Sequence, residues 1–173
     1  LSAAMIVSLG ACGTSEKSDS TASGDSKSSS NVTGYDVSGV TKDADIAAML
    51  PESVTKDGKL TIGMDTSYAP AEFLAEDGKT PVGFDVDIAK ALANMFGLEA
   101  VPQTEGTLEA LGEDVGVTKE AVAIKKGDSD TAKAVRTALQ KLMDDGTYMK
   151  ILKHWGVENG AIDKAEINPT DLG

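Results

Sequence analysis

A single helical repeat near the middle of the chain constrains the fold most. From Phe84 to Phe96, six apolar residues recur at the spacing of one helix face: Phe84, Ile88, Ala91, Leu92, Met95 and Phe96. Asp85 and Asp87 fall in the first turn, where carboxylates favour the helix dipole. Gly97 follows as a C-cap. The sequence therefore predicts an amphipathic helix that buries one face against another layer.

Short strand patterns lie on both sides of this helix. The clearest one alternates polar and apolar residues between Gly58 and Asp65. The composition of residues 76–79 is that of a hairpin turn. The predicted strands cover residues 59–64, 71–74 and 98–101. Strands separated by helices predict an α/β layer architecture.

The second half of the chain is predicted to hold one buried strand and two helices. The strand is the short apolar run Ala121–Ile124. Asp128 or Asp130 is placed to cap the next helix, which Gly146 ends, and Thr147 is placed to cap the last one. The predicted apolar faces are Val135, Ala138, Leu139, Leu142 and Met143 for the first helix, and Tyr148, Ile151, Leu152 and Trp155 for the second.

The chain begins with an apolar run that leads to its only cysteine. Residues 1–9 are too short for a membrane span, which needs about 20 residues, but they match the hydrophobic part of a signal peptide. Leu9-Gly10-Ala11-Cys12 resembles a bacterial lipobox, so residues 1–12 are predicted to be a signal-peptide remnant and lipobox. Lipidation of Cys12 would anchor the protein, since two or more acyl chains hold stably. The alternative is an idle or buried thiol.

The rest of the chain divides into three predicted parts. Residues 13–57 are predicted to be a flexible Ser-rich tether, because residues 14–33 contain too little apolar surface to offset chain entropy. Within this part, the pattern of residues 43–50 favours a short helix. The folded lobe is predicted to cover residues 58–158, and a polar tail residues 159–173.

The composition argues against several kinds of partner. The formal net charge is −12, and an acidic surface repels phosphate backbones. One Trp, three Tyr and three Phe leave little aromatic surface for base stacking, so nucleic acid is not expected as a partner. No cluster has metal-ligand spacing, and no glycine-rich loop precedes a helix in phosphate-cradling form. We therefore expect neither a metal nor a cofactor.

Two blocks of the chain carry specific motifs. The first runs from Leu60 to Phe73 and continues with Gly78-Lys79 and with Val82–Ala91, which contains the Gly-Phe-Asp-x-Asp motif that opens the helix. The second runs from Ala121 to Asp128 and continues from Leu142 to Gly156. Both blocks resemble the extracellular solute-binding proteins of the family 3 type. The resemblance implies a substrate-binding lipoprotein of an ABC importer, which captures a polar amino acid or similar solute at the extracellular face of the membrane and delivers it to the permease.

The family resemblance also implies a fold and a site. Members have two α/β lobes of the periplasmic-binding-protein-like type II arrangement, which close on a ligand between them. By resemblance, Tyr68 would pack its ring on the ligand, and Asp65 would accept hydrogen bonds from a polar or cationic group. The alternatives are that Asp65 merely ends a strand and that Tyr68 covers the edge of the core. Phe73, Phe84 and Trp155 are interpreted as core residues.

The sequence departs from the family pattern after the first helix. Relatives carry a Ser-rich loop there with an Arg that clamps the ligand's α-carboxylate, and then the second lobe. In this chain, Glu99-Ala100-Val101 runs almost directly into Leu108–Asp114, which resembles the region before the returning crossover strand. Arg136 lies in a helix pattern and does not match the clamp. We therefore predict an incomplete lobe with the second lobe largely missing and a junction near residues 101–108.

Two other functions stay open at this point. One is a cyclic-acid dehydratase-like enzyme on the same fold, which would need a placed acid or base near the ligand. His154 lies with Lys153 in the last turn of a helix, where a cation suits the dipole, so we interpret it as structural and predict no catalytic residue. The other is a truncated remnant that binds nothing. Because the clamp is missing, we expect no amino-acid binding tighter than millimolar.

Overall fold

The computed structural model describes residues 33–104 and 120–170. Cys12 and the stretch Leu108–Asp114 lie outside these residues. The helices are α1 (Ala44–Ala47), α2 (Glu52–Thr55), α3 (Phe84–Phe96), α4 (Ser129–Asp144) and α5 (Thr147–Trp155), and a 3-10 helix spans Glu158–Gly160. The strands are β1 (Lys59–Gly63), β2 (Ser67–Tyr68), β3 (Glu72–Leu74), β4 (Pro81–Val82) and β5 (Glu99–Gln103).

Two small sheets form in the described part of the chain. Strands β1 and β5 are parallel, with Lys59 opposite Glu99 and Gly63 opposite Gln103. Strands β2, β3 and β4 form an antiparallel sheet in chain order. In the β3–β4 turn, the Asp77 carboxylate accepts hydrogen bonds from the backbone N–H groups of Lys79 and Thr80, each at 2.8 Å. The mixed α/β architecture and the hairpin turn are therefore confirmed.

Helix α3 lies at the centre of the main core, as its apolar pattern predicts. Gly97 ends it in the left-handed conformation, with φ of 71°. The helix packs against α1, α4, α5 and β5. Its buried residues are Val86, Asp87, Ala89, Ala91, Leu92, Ala93, Met95 and Phe96. Beyond α3, the buried residues of this core are Val37, Ile46, Leu50, Ala134, Val135, Ala138, Leu142 and Ile151.

The structure corrects the predicted end of the tether. Val37, Ile46 and Leu50 are buried in the main core, although they lie in the segment predicted to be flexible up to residue 57. The backbone N–H of Asp43 donates to the Met95 carbonyl at 2.9 Å, and the Asn94 side chain donates to the Val37 carbonyl at 3.0 Å. Residues 33–57 therefore belong to the folded lobe, because α3 and α4 offer them an apolar surface.

The predicted strand at Ala121–Ile124 is wrong. These residues have no strand structure, and Val122 is 55% exposed. A β-branched run becomes a strand only where a neighbouring strand accepts it, and among the described residues β1 and β5 pair only with each other. Ile124 alone packs against the core.

The two C-terminal helices form as predicted, with one change in their caps. Asp128 caps α4 by accepting from the Thr131 N–H at 3.1 Å. Gly146, in the left-handed conformation, is the N-cap of α5, and Thr147 is its first residue instead of its cap. None of the described helices is long and apolar enough to cross a membrane.

The segment after α5 folds back and is not a free polar tail. Ala165 is buried, and its N–H donates to the Gln140 side-chain oxygen at 3.0 Å. The Nε of Arg136 donates to the Ala165 carbonyl at the same distance. Two polar side chains of α4 thus hold the backbone at Ala165.

Candidate functional site

Asp65 lies just beyond the carboxyl end of β1. The backbone N–H of Met64 still pairs with the Gln103 carbonyl at 3.0 Å, so the parallel pairing ends one residue before Asp65. In open α/β sheets, ligands bind outside the carboxyl ends of the strands. The sequence-predicted residue therefore occupies the edge of the sheet where this architecture binds ligands.

Local hydrogen bonds orient the Asp65 carboxylate. Its Oδ1 accepts from the Ser67 hydroxyl at 2.7 Å and from the Ser67 backbone N–H at 3.2 Å. An ionised carboxylate can accept about four hydrogen bonds. Two bonds from one neighbour fix the side chain and leave acceptor capacity for a ligand on an exposed surface.

Tyr68 is close to Asp65 in the chain and is 64% exposed. It pairs with Glu72 across the β2–β3 ladder and precedes a cis Ala69–Pro70 peptide bond. Its exposure argues against the alternative that it covers the core edge. A large aromatic face that is exposed to solvent is suited to stacking on a ligand.

Gly83 brings the start of α3 against the loop that follows Tyr68. The N–H groups of Phe84 and Asp85 donate to the carbonyls of Pro70 and Ala71 at 3.1 and 3.0 Å. A Cβ atom at Gly83 would lie 2.0 Å from the Ala71 carbonyl oxygen, and the residue has φ of +138°. Only glycine fits this position. The glycine of the Gly83-Phe84-Asp85 motif is thus required by this close contact with the Ala71 carbonyl.

This approach assembles three carboxyl groups from three segments. Asp85, at the start of α3, is hydrogen bonded to Glu72 of β3 and to Glu120 before α4. Burial, and then the charges of Glu120 and Glu72, raise the pKa of Asp85 to about 8. Since carboxylate oxygens only accept hydrogen bonds, Asp85 carries a proton at neutral pH, and its single O–H donates to one of the two glutamates at a time. Burial also raises the pKa of Glu72 and of Glu120.

The carboxyl cluster adjoins the predicted site. The Asp65 backbone is hydrogen bonded to the Glu72 carboxyl, and the Asp65 charge raises the pKa of Glu72 further. On the other side, burial raises the pKa of Tyr148, and the charges of Asp85 and Glu120 add to this. The sequence analysis placed Asp85 only as a partner of the helix dipole. Linear spacing could not reveal its contacts with Glu72 and Glu120.

The other sequence-predicted residues have different places. Phe84 and Trp155 pack against the main core, and the half-buried Phe73 ring meets Trp155 edge to face at 5.8 Å between centroids. Arg136 faces the C-terminal segment, as its bond to Ala165 shows. No group of three or more His, Cys, Asp or Glu side chains in residues 33–104 and 120–170 is arranged to hold a metal ion.

Two open cavities lie away from Asp65 and Tyr68. One, of about 440 Å³, is lined by Arg136 and residues 164–170. The other, of about 410 Å³, is lined by Pro51, Ser53 and residues 125–128. Neither includes a member of the predicted site. Asp65 and Tyr68 therefore form an exposed edge and do not line either cavity.

Comparison with known proteins identifies the matched segment. Residues 60–116 match the family model of bacterial extracellular solute-binding proteins, family 3. The arginine-binding protein ArgT of Corynebacterium glutamicum is 34% identical over 73 residues, which are 42% of this chain and 24% of that protein. The L-cystine-binding protein TcyJ of Escherichia coli K12 is 34% identical over 58 residues, 34% of this chain and 22% of that protein.

These matches are partial. The chain spans about a quarter of the length of the curated relatives it matches. No solved structure matches it. The family resemblance is confirmed over residues 60–116, which contain Asp65, Tyr68 and the whole of α3. The loss of a second lobe and the junction near residues 101–108 stay predictions.

Proposed function

Because residues 60–116 carry the sequence of a family 3 extracellular solute-binding protein, we propose that this lobe forms one side of a binding site for a polar amino acid or similar small solute. The position of Asp65 just beyond the carboxyl end of β1, with the exposed Tyr68 ring nearby, carries this proposal. Both residues lie inside the matched segment. The relatives named for arginine and L-cystine support an amino acid as the ligand.

The chemistry of this edge favours a positively charged group on the ligand. Asp65 is oriented by Ser67 and keeps acceptor capacity, and the carboxyl cluster of Glu72, Asp85 and Glu120 adjoins it. An ammonium or guanidinium group would interact favourably with both. Stacking on Tyr68 adds a cation–π contribution of about 0.5–1 kcal/mol at an exposed position.

The affinity of the chain as it stands should be low. A ligand α-carboxylate needs a cation, and Arg136 uses its Nε on the Ala165 carbonyl instead of facing Asp65. Removing one partner of a desolvated charge pair costs about 2–5 kcal/mol, which is roughly 30-fold to several-thousand-fold in affinity. We therefore propose a millimolar or weaker site in this chain and a tighter one only where a second lobe closes over the ligand.

The wider role follows the family. We propose an exported substrate-binding lipoprotein that is held at the extracellular face of the membrane by lipid on Cys12 and delivers its solute to an ABC importer permease. The relatives are named as binding proteins, so no catalytic step is proposed. Labelling cells with a radioactive fatty acid tests the anchor: the wild-type chain should be labelled and Cys12→Ser should not.

Binding itself is best tested by an NMR titration, because chemical shifts detect millimolar affinity. Adding L-arginine should shift the backbone amides from Asp65 to Glu72 in a saturable way, whereas L-citrulline, its neutral isostere, should shift them less. Asp65→Asn and Tyr68→Ala should each reduce the response. Asp163→Asn, at an exposed position after α5, is the matched control.

Three outcomes would contradict parts of the proposal. Equal chemical-shift changes with arginine and citrulline would contradict the proposed preference for a cationic ligand. Absence of saturable shifts at these amides up to the solubility limit of arginine would remove ligand contact. A micromolar dissociation constant would show that the site is complete.

A further inference from the structure

Asp87, the second carboxyl group of the α3 motif, lies in a buried pocket and contacts different partners from those of the carboxyl cluster. It is 0% exposed. Its Oδ2 accepts from the Trp155 indole N–H at 2.6 Å and from the Tyr35 backbone N–H at 2.8 Å. Its Oδ1 is buried and has no hydrogen-bond partner among the described residues. A buried acceptor with two donors from distant segments ties those segments together, because losing either donor carries the cost of an unsatisfied group.

The segment that supplies one of these donors, residues 33–37, is called the strap here. Gly34 lies directly against Asp87, since a Cβ atom at Gly34 would be 2.5 Å from Oδ1. The Thr33 carbonyl is 2.8 Å from His154 Nε2, so that nitrogen carries the hydrogen and donates. The Tyr35 ring meets the His154 ring edge to face at 5.8 Å. The strap is therefore held by α3 and by the last turn of α5.

Trp155 connects this arrangement to the candidate site. Its ring meets Phe73 of β3 edge to face at 5.8 Å between centroids. Phe73 is the register partner of Ser67, whose hydroxyl orients the Asp65 carboxylate. A displacement of Trp155 thus reaches the sheet that carries Tyr68 and Glu72 through packed side chains and paired strands.

We propose that docking of the strap on Asp87 and His154 controls the order of the β2–β3–β4 sheet and so of the Asp65–Tyr68 edge. The strap is the first described segment after the N-terminal region. The chain that leads into the lobe is thereby coupled to the edge proposed to bind solute. Coupling of this kind is reciprocal, so whatever orders one end also stabilises the other. This coupling rests on the proposed function only where the Asp65–Tyr68 edge is taken as the solute site, and it can be tested without a ligand.

Gly34→Ala tests this in the full-length chain, because the added methyl group would lie 2.5 Å from Asp87 Oδ1. Gly39→Ala is the matched control, since nothing lies within 4 Å of a Cβ atom there. The chain has one Trp, so fluorescence excited at a wavelength that Tyr does not absorb reports on Trp155 alone. We expect a red-shifted emission for Gly34→Ala and none for Gly39→Ala.

Amide hydrogen exchange gives the second measurement. The N–H groups of Ala75, Phe84 and Asp85 bond within or beside the β2–β3–β4 sheet, and that of Met64 reports on the β1–β5 pair. In Gly34→Ala, we expect about tenfold faster exchange at the first three amides and no change at Met64, as for a local opening. The failure of solute binding in the titration above would leave this result unaffected.

The outcomes separate clearly. A shift in emission without faster exchange at Ala75, Phe84 and Asp85 would overturn the coupling, and no change in either measurement would overturn docking of the strap. If Met64 also exchanged faster, His154→Ala would decide, because it removes the donor to the Thr33 carbonyl and the ring contact with Tyr35 without adding an atom next to Asp87. Faster exchange at the sheet alone in that variant supports the proposal, and uniform acceleration or none refutes it.

Discussion

Replacing Asp85 by Asn should make the lobe more stable at neutral pH. In the folded state the pKa of Asp85 is about 8, against an ordinary value of 3.8. Between about pH 4 and pH 8, Asp85 therefore keeps its proton in the folded protein, whereas the unfolded chain releases it. The raised pKa favours folding below about pH 4, and its contribution is lost as the pH rises towards 8. Asn resembles the protonated form at every pH and can donate to both Glu72 and Glu120.

The size of the effect has an upper bound. For each pH unit above the ordinary pKa, keeping Asp85 protonated in the folded state lowers the unfolding free energy by about 1.4 kcal/mol, which amounts to about 4 kcal/mol between pH 4 and 7. Asp85 is only partly buried, and its neighbours can relax as it ionises. Solvent screening and this relaxation reduce the effect, so we expect Asp85→Asn to gain about 1–3 kcal/mol of unfolding free energy at pH 7.

Urea unfolding at several pH values, followed by Trp155 fluorescence, is the assay. The stability of the wild-type chain should fall steadily from about pH 5 to pH 8, and Asp85→Asn should flatten this slope. Below about pH 4 the trend should reverse, because backbone hydrogen bonds lower the pKa of Asp43 and hydrogen bonds from Thr80 and Lys79 lower that of Asp77. Asp163→Asn removes an exposed carboxyl and should keep the wild-type slope.

Two results would refute this reasoning. The first is a wild-type stability that rises between pH 5 and 8. The second is an Asp85→Asn variant that gains no more stability at pH 7 than Asp163→Asn does. Either would mean that Asp85 is ionised in the folded protein and does not share a proton with Glu72 and Glu120.

Two further substitutions test the packing. Gly83→Ala places a Cβ atom 2.0 Å from the Ala71 carbonyl oxygen, so thermal unfolding should show a loss of more than about 3 kcal/mol of unfolding free energy. The control Gly78→Ala should lose about 1 kcal/mol, because φ is also positive there but nothing lies within 4 Å of the added Cβ atom. Equal losses in the two variants would contradict the close approach at Gly83. Ile46→Ala should cost about 2–4 kcal/mol in urea unfolding because Ile46 is 7% exposed. The control Ile162→Ala, at a residue 39% exposed, should cost under about 1 kcal/mol. An Ile46→Ala variant as stable as that control would show that residues 33–57 are not part of the folded lobe.

The sequence predicted the elements whose signals are local. The period of apolar residues in α3 and the glycine that ends it are both contained in the segment itself, as is the Asp77 turn between β3 and β4. These predictions needed no knowledge of distant contacts. Asp65 was predicted as a site residue only by the family resemblance, and it lies two residues beyond the end of β1.

The errors arose where distant partners decide the structure. The burial of Val37, Ile46 and Leu50 depends on the surface of α3 and α4, which the sequence of residues 33–57 does not contain. Residues 121–124 have the composition of a strand, but composition cannot tell whether a neighbouring strand is in place. The Asp85 cluster was missed because Glu120 comes from a segment far along the chain.

The Asp-x-Asp spacing at the start of α3 explains how one helical turn serves both regions. A helix advances about 100° per residue, so two residues separated by one position point roughly 200° apart. Asp85 therefore faces Glu72 and Glu120 beside the Asp65–Tyr68 edge, whereas Asp87 faces Tyr35 and Trp155 in the buried pocket. A helix-dipole argument alone treats both carboxylates as equivalent. Their opposite directions place the strap contact and the carboxyl cluster on two sides of the first turn of α3.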